Sequence, residues 1–179
     1  MKTAMHPVIN PVQALLFMIA PPRHIVSDVF VLKDDVHYLI GRPFEDRYTP
    51  PHISLFRYHD LHVDEMIQHV TEKAKHFKPF NIYIKDLSAS HEHHSHRIYL
   101  NIVNKYPLRD LFGKLIRHDS GYTPHLGIAQ GLDSTDFMKS WPYLKSLPYT
   151  QNFLCDRITV LAKVDNEWMH YQDIPFGDA

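Results

Sequence analysis

Two stretches of the chain repeat one another. Thr49-Pro50-Pro51-His52-Ile53-Ser54-Leu55-Phe56 returns, seventy-three residues later, as Tyr122-Thr123-Pro124-His125-Leu126-Gly127-Ile128-Ala129. Each has a proline, then a histidine, then alternating apolar residues. Alternation is the period of a strand, whose side chains point to opposite faces in turn. His52 and Ser54 are therefore expected on one face, with Ile53 and Leu55 entering the core. His125 and Gly127 share a face in the same way, with Leu126 and Ile128 turned inward. If the two strands are symmetry mates, their histidines converge on one cleft.

The rest of the sequence suits such a duplicated architecture. The chain has 179 residues, which fits one domain of two lobes spanning 1–179 and sharing one core. Hydrophobic residues make up 44% and charged residues 22%, an ordinary globular balance that excludes disordered and collagen-like chains. Nineteen Lys and Arg against twenty Asp and Glu leave a net charge of −1. That excludes a protein that coats nucleic acid by charge alone, while leaving room for a site that binds one or two phosphates. A single cysteine, Cys155, cannot form an intramolecular disulfide, and a reducing, cytoplasmic setting is the simple expectation. The apolar run Val12 to Ala20 is short, contains Gln13 and is followed by Pro21-Pro22. It reads as a buried first strand rather than a leader, and no stretch approaches the length of a membrane-spanning helix.

The element pattern is mixed. Ala14 to Ala20 reads as a strand. Ile25, Val29, Leu32, Val36 and Leu39 mark one face of a helix, with Gly41 placed as its C-terminal cap. After the strand His52 to Tyr58, Asp60 is expected to cap a helix with Val63, Met66, Ile67, Val70, Ala74 and Phe77 on its apolar face. Phe80 to Lys85 and Arg97 to Val103 read as antiparallel strands around a polar loop, SASHEHHSH. Pro107 opens a short helix, His125 to Gln130 is a strand, and a helix starting at Ser134 should be kinked or broken by Pro142. Arg157 to Val164 and Glu167 to Ile174 suit a terminal hairpin around Asp165-Asn166. The expected class is α+β: a two-lobed, pseudo-symmetric fold of largely antiparallel sheets flanked by helices, built from duplicated strand-helix-strand-strand units.

Fifteen histidines make chance motifs common. His-x-Ser/Thr occurs four times, at His52, His69, His93 and His118. His69 lies in a helical pattern, His93 in a polar loop and His118 at a helix end. Only His52 lies in a strand flanked by apolar residues, and His125 matches that context without the hydroxyl. On these two segments, with the first strand ending in Pro-Pro and the terminal strands, the sequence resembles the two-histidine phosphoesterase superfamily. This is the LigT-like group that includes 2′-5′ RNA ligases and cyclic nucleotide phosphodiesterases. His52 and Ser54 match the first family motif fully. In the second, His125 matches and Gly127 stands where a Thr or Ser is expected.

The resemblance implies a metal-independent phosphodiesterase acting on 2′,3′-cyclic phosphate ends of RNA or nucleotides, or on 2′-5′ linkages. The residue types fit that chemistry independently. Opening a cyclic phosphate needs a base for water and an acid for the leaving oxygen, and imidazole titrates near 6.5, within reach of both roles. His52 and His125 are the expected acid/base pair. Ser54 is expected to hold phosphate through its hydroxyl and Gly127 through its backbone N–H. No cofactor or metal is expected, and the partners are RNA ends or cyclic nucleotides met by a monomer. A second reading follows from Gly127: a module that binds RNA ends or nucleotides with weak catalysis. A third takes His91, His93, His94 and His96 as metal ligands, against a solvated loop as the simpler account.

Among other residues, Phe56 is expected on the face of His52 and Ser54, where it could stack on a base. Arg42, Arg47 and Arg57 could hold phosphate, although alternation turns Arg57 away from His52. Gln130 follows the second motif and could touch substrate. Phe17, Trp141 and Trp168 read as packing residues, and Cys155 as a small buried side chain.

Overall fold

The computed structural model describes residues 12–60, 62–93, 95–116 and 121–177. Its elements run β1 (Ala14–Ile19), α1 (Arg23–Ile40), β2 (Ile53–Tyr58), α2 (Val63–Ala74), β3 (Phe80–Glu92) and β4 (Ser95–Ile102). They continue as α3 (Lys105–Leu115), β5 (His125–Leu132), α4 (Ser134–Leu144), β6 (Thr150–Cys155), β7 (Arg157–Val164) and β8 (Glu167–Pro175). Two four-stranded sheets result, ordered β2-β1-β7-β8 and β5-β4-β3-β6. Every strand pair is antiparallel. The fold is the α+β class expected.

The duplication is visible in the order of the sheets, with one difference from a simple tandem repeat. In both sheets a strand, a helix and a second strand place the motif-bearing strand at the edge: β1-α1-β2 in one, β4-α3-β5 in the other. The second sheet is contiguous in sequence, whereas the first is completed by β7 and β8 from the far end of the chain. One apolar cluster joins Phe17 and Val160 of the first sheet and Val29 of α1 to Ile84, Leu100 and Ile128 of the second sheet.

Local chemistry explains most elements. All six residues of β1 are buried, as suits an inner strand flanked by β2 and β7. Gly41 closes α1 with φ 76° and its N–H on the His37 carbonyl, a left-handed cap that glycine adopts without steric cost. Ile40, not Leu39, takes the last buried position of the α1 stripe. Asp165 and Asn166 have φ of 51° and 66°, the pair of positive values that a two-residue hairpin between β7 and β8 requires.

Several expectations are corrected. The polar segment after Lys85 is not a loop: β3 extends to Glu92 and β4 begins at Ser95. An irregularity between Ile84 and Leu87, with Asp86 at φ 58°, resets the register of β3, and beyond it Leu87 and Ala89 still pair with the buried Leu100 and Ile98. The N-cap of α2 is His62, not Asp60. Helix α4 runs through Pro142 to Leu144, because a proline in the last turn removes a single ladder bond. Strand β6 had no counterpart in the sequence reading. It is an edge strand whose Phe153 and Cys155 are buried while Leu154 stays exposed. His118 and His94 lie outside the described residues.

Candidate active site

The two motif-bearing edge strands, β2 and β5, pack against each other, and a cavity of about 620 Å³ opens between the two halves. His52, Ser54, His125 and Gly127 all line it. A phenol bridges the halves beside them: Tyr122 Oη donates to the Ser54 carbonyl at 2.9 Å. Burial holds the Tyr122 phenol well above its usual pKa, so it stays a donor.

The histidines are held alike. His52 Nδ1–H donates to the Pro50 carbonyl at 2.9 Å, and His125 Nδ1–H donates to the Thr123 carbonyl at 2.9 Å. Each bond reaches two residues back along the chain. With Nδ1 carrying the proton, Nε2 of a neutral ring keeps its lone pair for other chemistry. The Tyr99 ring lies 5.2 Å from that of His125. Burial pushes His52 below the usual imidazole range, helped by the positive charges of Lys33 and Arg57 and by His125, while the Pro50 bond acts the other way. His52 is therefore neutral at neutral pH.

The same irregularity occurs in both strands. Phe17 pairs with Phe56 and Met18 with Ser54, so Leu55 is an extra residue in β2. Ile98 pairs with Ala129 and Tyr99 with Gly127, so Ile128 is an extra residue in β5. Each bulge falls three residues after its histidine and reverses the alternation beyond it. Arg57 and Gln130, both five residues after a histidine, consequently line the cavity. This overturns the expectation for Arg57, which shares the cleft with His52. It also overturns that for Phe56, whose ring stacks on Phe17 at 4.4 Å and 14°, away from the site.

Arg42 and Arg47 are engaged elsewhere. Arg42 bridges Asp133 and Asp136, while Arg47 pairs with Asp34 and lies over Tyr48. Trp168, read from sequence as packing, lines the cavity, with Arg57 5.7 Å from its ring centroid. Trp141 does pack against the core. Cys155 is buried, and its thiol is pushed up to about 12 by burial first and Asp156 second.

Sequence reasoning missed Lys33, Glu45 and Asp46, which line the same cavity. Lys33 is 1% exposed and donates to the carbonyls of Asp46 and, at 3.0 Å, Thr49. It anchors the segment leading into Pro50 and His52. Burial lowers the Lys33 pKa against the opposing pull of Asp46, and burial raises that of Asp46. Asp46 Oδ1 accepts from the Gln130 N–H at 3.1 Å, joining that segment to β5. The available signal was a lysine inside the apolar stripe of α1, between Val29 and Val36.

Gly127 leaves space. A Cβ there would approach Asp46 Oδ2 at 4.0 Å, so nothing steric forbids a hydroxyl residue. His91 and His96 lie on paired strands, not on a loop. His91 and His96 face each other across β3 and β4, with Nδ1 atoms 2.6 Å apart. His96 Nε2 lies 3.1 Å from Ser134 Oγ, and both rings pack on Phe137. Among the described residues no group of three or more His, Cys, Asp or Glu side chains is arranged to hold a metal. Among them, too, no helix is long and apolar enough to cross a membrane.

Comparison with known proteins places these features. Residues 41–167 match the family described as the 2′-5′ RNA ligase superfamily. A protein of Oceanobacillus iheyensis named as a phosphoesterase is 30% identical over 158 residues, covering 82% of this chain and 92% of that protein. Escherichia coli LigT, solved with 3′-AMP, is similar in structure at TM-score 0.62 and 12% identity, over 93% of this chain and 99% of LigT. Usb1 of Kluyveromyces marxianus, solved with uridine monophosphate, is similar at TM-score 0.54 and 10% identity, over 91% of this chain and 98% of that one.

Proposed function

Because the chain belongs to the 2′-5′ RNA ligase superfamily, among its two-histidine, LigT-like phosphoesterases, we propose that it is a metal-independent phosphodiesterase. Its substrates would be 2′,3′-cyclic phosphate ends of RNA or nucleotides, or 2′-5′ linkages. The observation that carries the reading is the matched pair of histidines, each tethered through Nδ1 to a carbonyl two residues back and each lining one cavity. The relatives solved with 3′-AMP and uridine monophosphate support a nucleotide as the ligand.

In the hydrolytic direction His52 is the base, since its depressed pKa keeps it neutral. Its Nε2 takes a proton from water as the water oxygen attacks phosphorus. His125 is the acid and gives its Nε2 proton to the ribose oxygen as the bond from phosphorus to that oxygen breaks. Ser54 donates to a phosphoryl oxygen as charge develops there, and the Arg57 and Lys33 charges favour the anion. In ligation a 5′-hydroxyl takes the place of water: it gives its proton to His52 as its oxygen attacks the cyclic phosphorus, and His125 protonates the ribose oxygen that departs.

The test is hydrolysis of 2′,3′-cyclic nucleotides and of a short RNA with a cyclic phosphate end, in EDTA. Wild type is compared with His52→Ala and His125→Ala. The expected result is turnover that survives the chelator and falls about 10²–10⁴-fold in each variant. Turnover that persists in either variant refutes the pairing. Nucleotide binding without turnover favours the binding-module reading that the missing hydroxyl at Gly127 motivates.

A further inference from the structure

The sheet β2-β1-β7-β8 carries the phosphate-facing residues near one end and an apolar floor beside them. Met18 pairs with Ser54, while Leu16 pairs with Arg57 on one side and Leu161 on the other. Neighbouring strands lie about 4.8 Å apart, so β2 and β8 are separated by about 14 Å. The Arg57 guanidinium nevertheless lies only 5.7 Å from the centroid of the Trp168 ring. The two long side chains, from opposite edges of the sheet, therefore lean toward each other across the middle strands. Arg57, Trp168, Leu16, Met18 and Leu161 all line the cavity that holds both histidines.

We propose that Trp168 and Arg57, set over the floor of Leu16, Met18 and Leu161, form the stacking site for the nucleobase of the substrate. The inference rests on the phosphodiesterase reading of the same cleft and adds to it the group recognised beyond the phosphate. Indole and guanidinium planes both stack on bases. From the Ser54 level to the Arg57 level the partner strand advances two residues, Met18 to Leu16, which is about 7 Å. That offset suits a nucleotide with its phosphate at the histidines and its base over the floor. The three floor side chains have no hydrogen-bonding groups to read a base edge. Recognition is therefore by the face of the ring, tolerant of base identity and stronger for purines, which offer more stacking surface.

The experiment separates this site from the phosphate site. Trp141→Phe leaves Trp168 as the sole tryptophan and is titrated by fluorescence with 3′-AMP, 3′-UMP and ribose 5-phosphate. Calorimetry follows the same ligands in wild type, Trp168→Leu and Trp168→Phe. The expected result is saturable quenching by both nucleotides, tighter for 3′-AMP, and none by ribose 5-phosphate. Trp168→Leu should weaken 3′-AMP by about 10-fold or more while leaving ribose 5-phosphate unchanged, and Trp168→Phe should restore most of the loss. Retained ribose phosphate binding shows that the variant is folded with its phosphate site intact. An unchanged ratio of 3′-AMP to ribose 5-phosphate affinity in Trp168→Leu overturns the base site and leaves the phosphodiesterase reading standing. Failure of wild type to bind either ligand overturns both.

Discussion

The two histidine-bearing strands share a backbone and differ in what they carry. Both lie at sheet edges, both tether Nδ1 to a carbonyl two residues back, and both bulge three residues after the histidine. The first half adds Ser54 and Arg57 to this frame; the second adds Gly127 and Gln130. One side of the cleft thus offers a hydroxyl and a cation, and the other offers neither from the matching positions. Near Gly127 stands Asp46, held by Lys33 and the Gln130 N–H. The frame that places two imidazoles is separable from the polar side chains around it, and here the hydroxyl and the cation at the matching positions both come from one half.

Removing the histidines tests the symmetric part of this comparison and gives the largest effect. Each alanine variant should lose about 10²–10⁴-fold in turnover, and the His52→Ala/His125→Ala double variant should lose little more than either single one, since groups acting as a unit are not additive. Losses that multiply in the double variant, read by steady-state kinetics, would break the claim that the pair is one device.

The asymmetric part gives smaller numbers. Ser54→Ala should cost about 1.5–3 kcal/mol of interaction with an anionic oxygen, or on the order of 10–100-fold in kcat/KM. Gly127→Ser should fold with an unchanged Tm, because the position has room. It should raise kcat/KM by up to about 10-fold, as the new hydroxyl divides its donation between phosphate and Asp46. A Gly127→Ser variant that folds normally but turns over more slowly than wild type would show that the second half needs bare backbone there, not a restored hydroxyl.

What the sequence revealed and concealed follows the same line. Apolar period and punctuation exposed β1, α1 with its Gly41 cap and the hairpin at Asp165-Asn166, since these depend on neighbours in the chain. The alternation Ile53, Leu55 and Leu126, Ile128 placed both histidines toward a common cleft. It failed beyond Leu55 and Ile128 because a bulge is defined by the partner strand's register, which no local pattern encodes. Arg57 and Phe56 were misjudged for that one reason. Strand β6 was hidden because an edge strand buries few side chains. Lys33, Asp46 and Trp168 reach the site from α1, the segment before β2 and the last strand, and only tertiary packing brings them together.

The smallest expected effect probes how the charged half tunes the shared chemistry. The Arg57 guanidinium, with Lys33, adds to burial in holding the His52 pKa down. With His52 as the proposed base, active only when neutral, kcat/KM should fall on the acid side as it takes up a proton, below the 6.5 of free imidazole. Arg57→Gln removes one positive charge from beside the imidazolium form, which becomes easier to make. The acid limb should therefore move toward higher pH in this variant, while burial keeps it below the free value. Gln130→Ala, the matching change in the uncharged half, should leave the limb where it is. A measured pH profile in which Arg57→Gln leaves the acid limb where it is would show that the group titrating there is not the imidazole beside Arg57, and would move the base from His52 to His125.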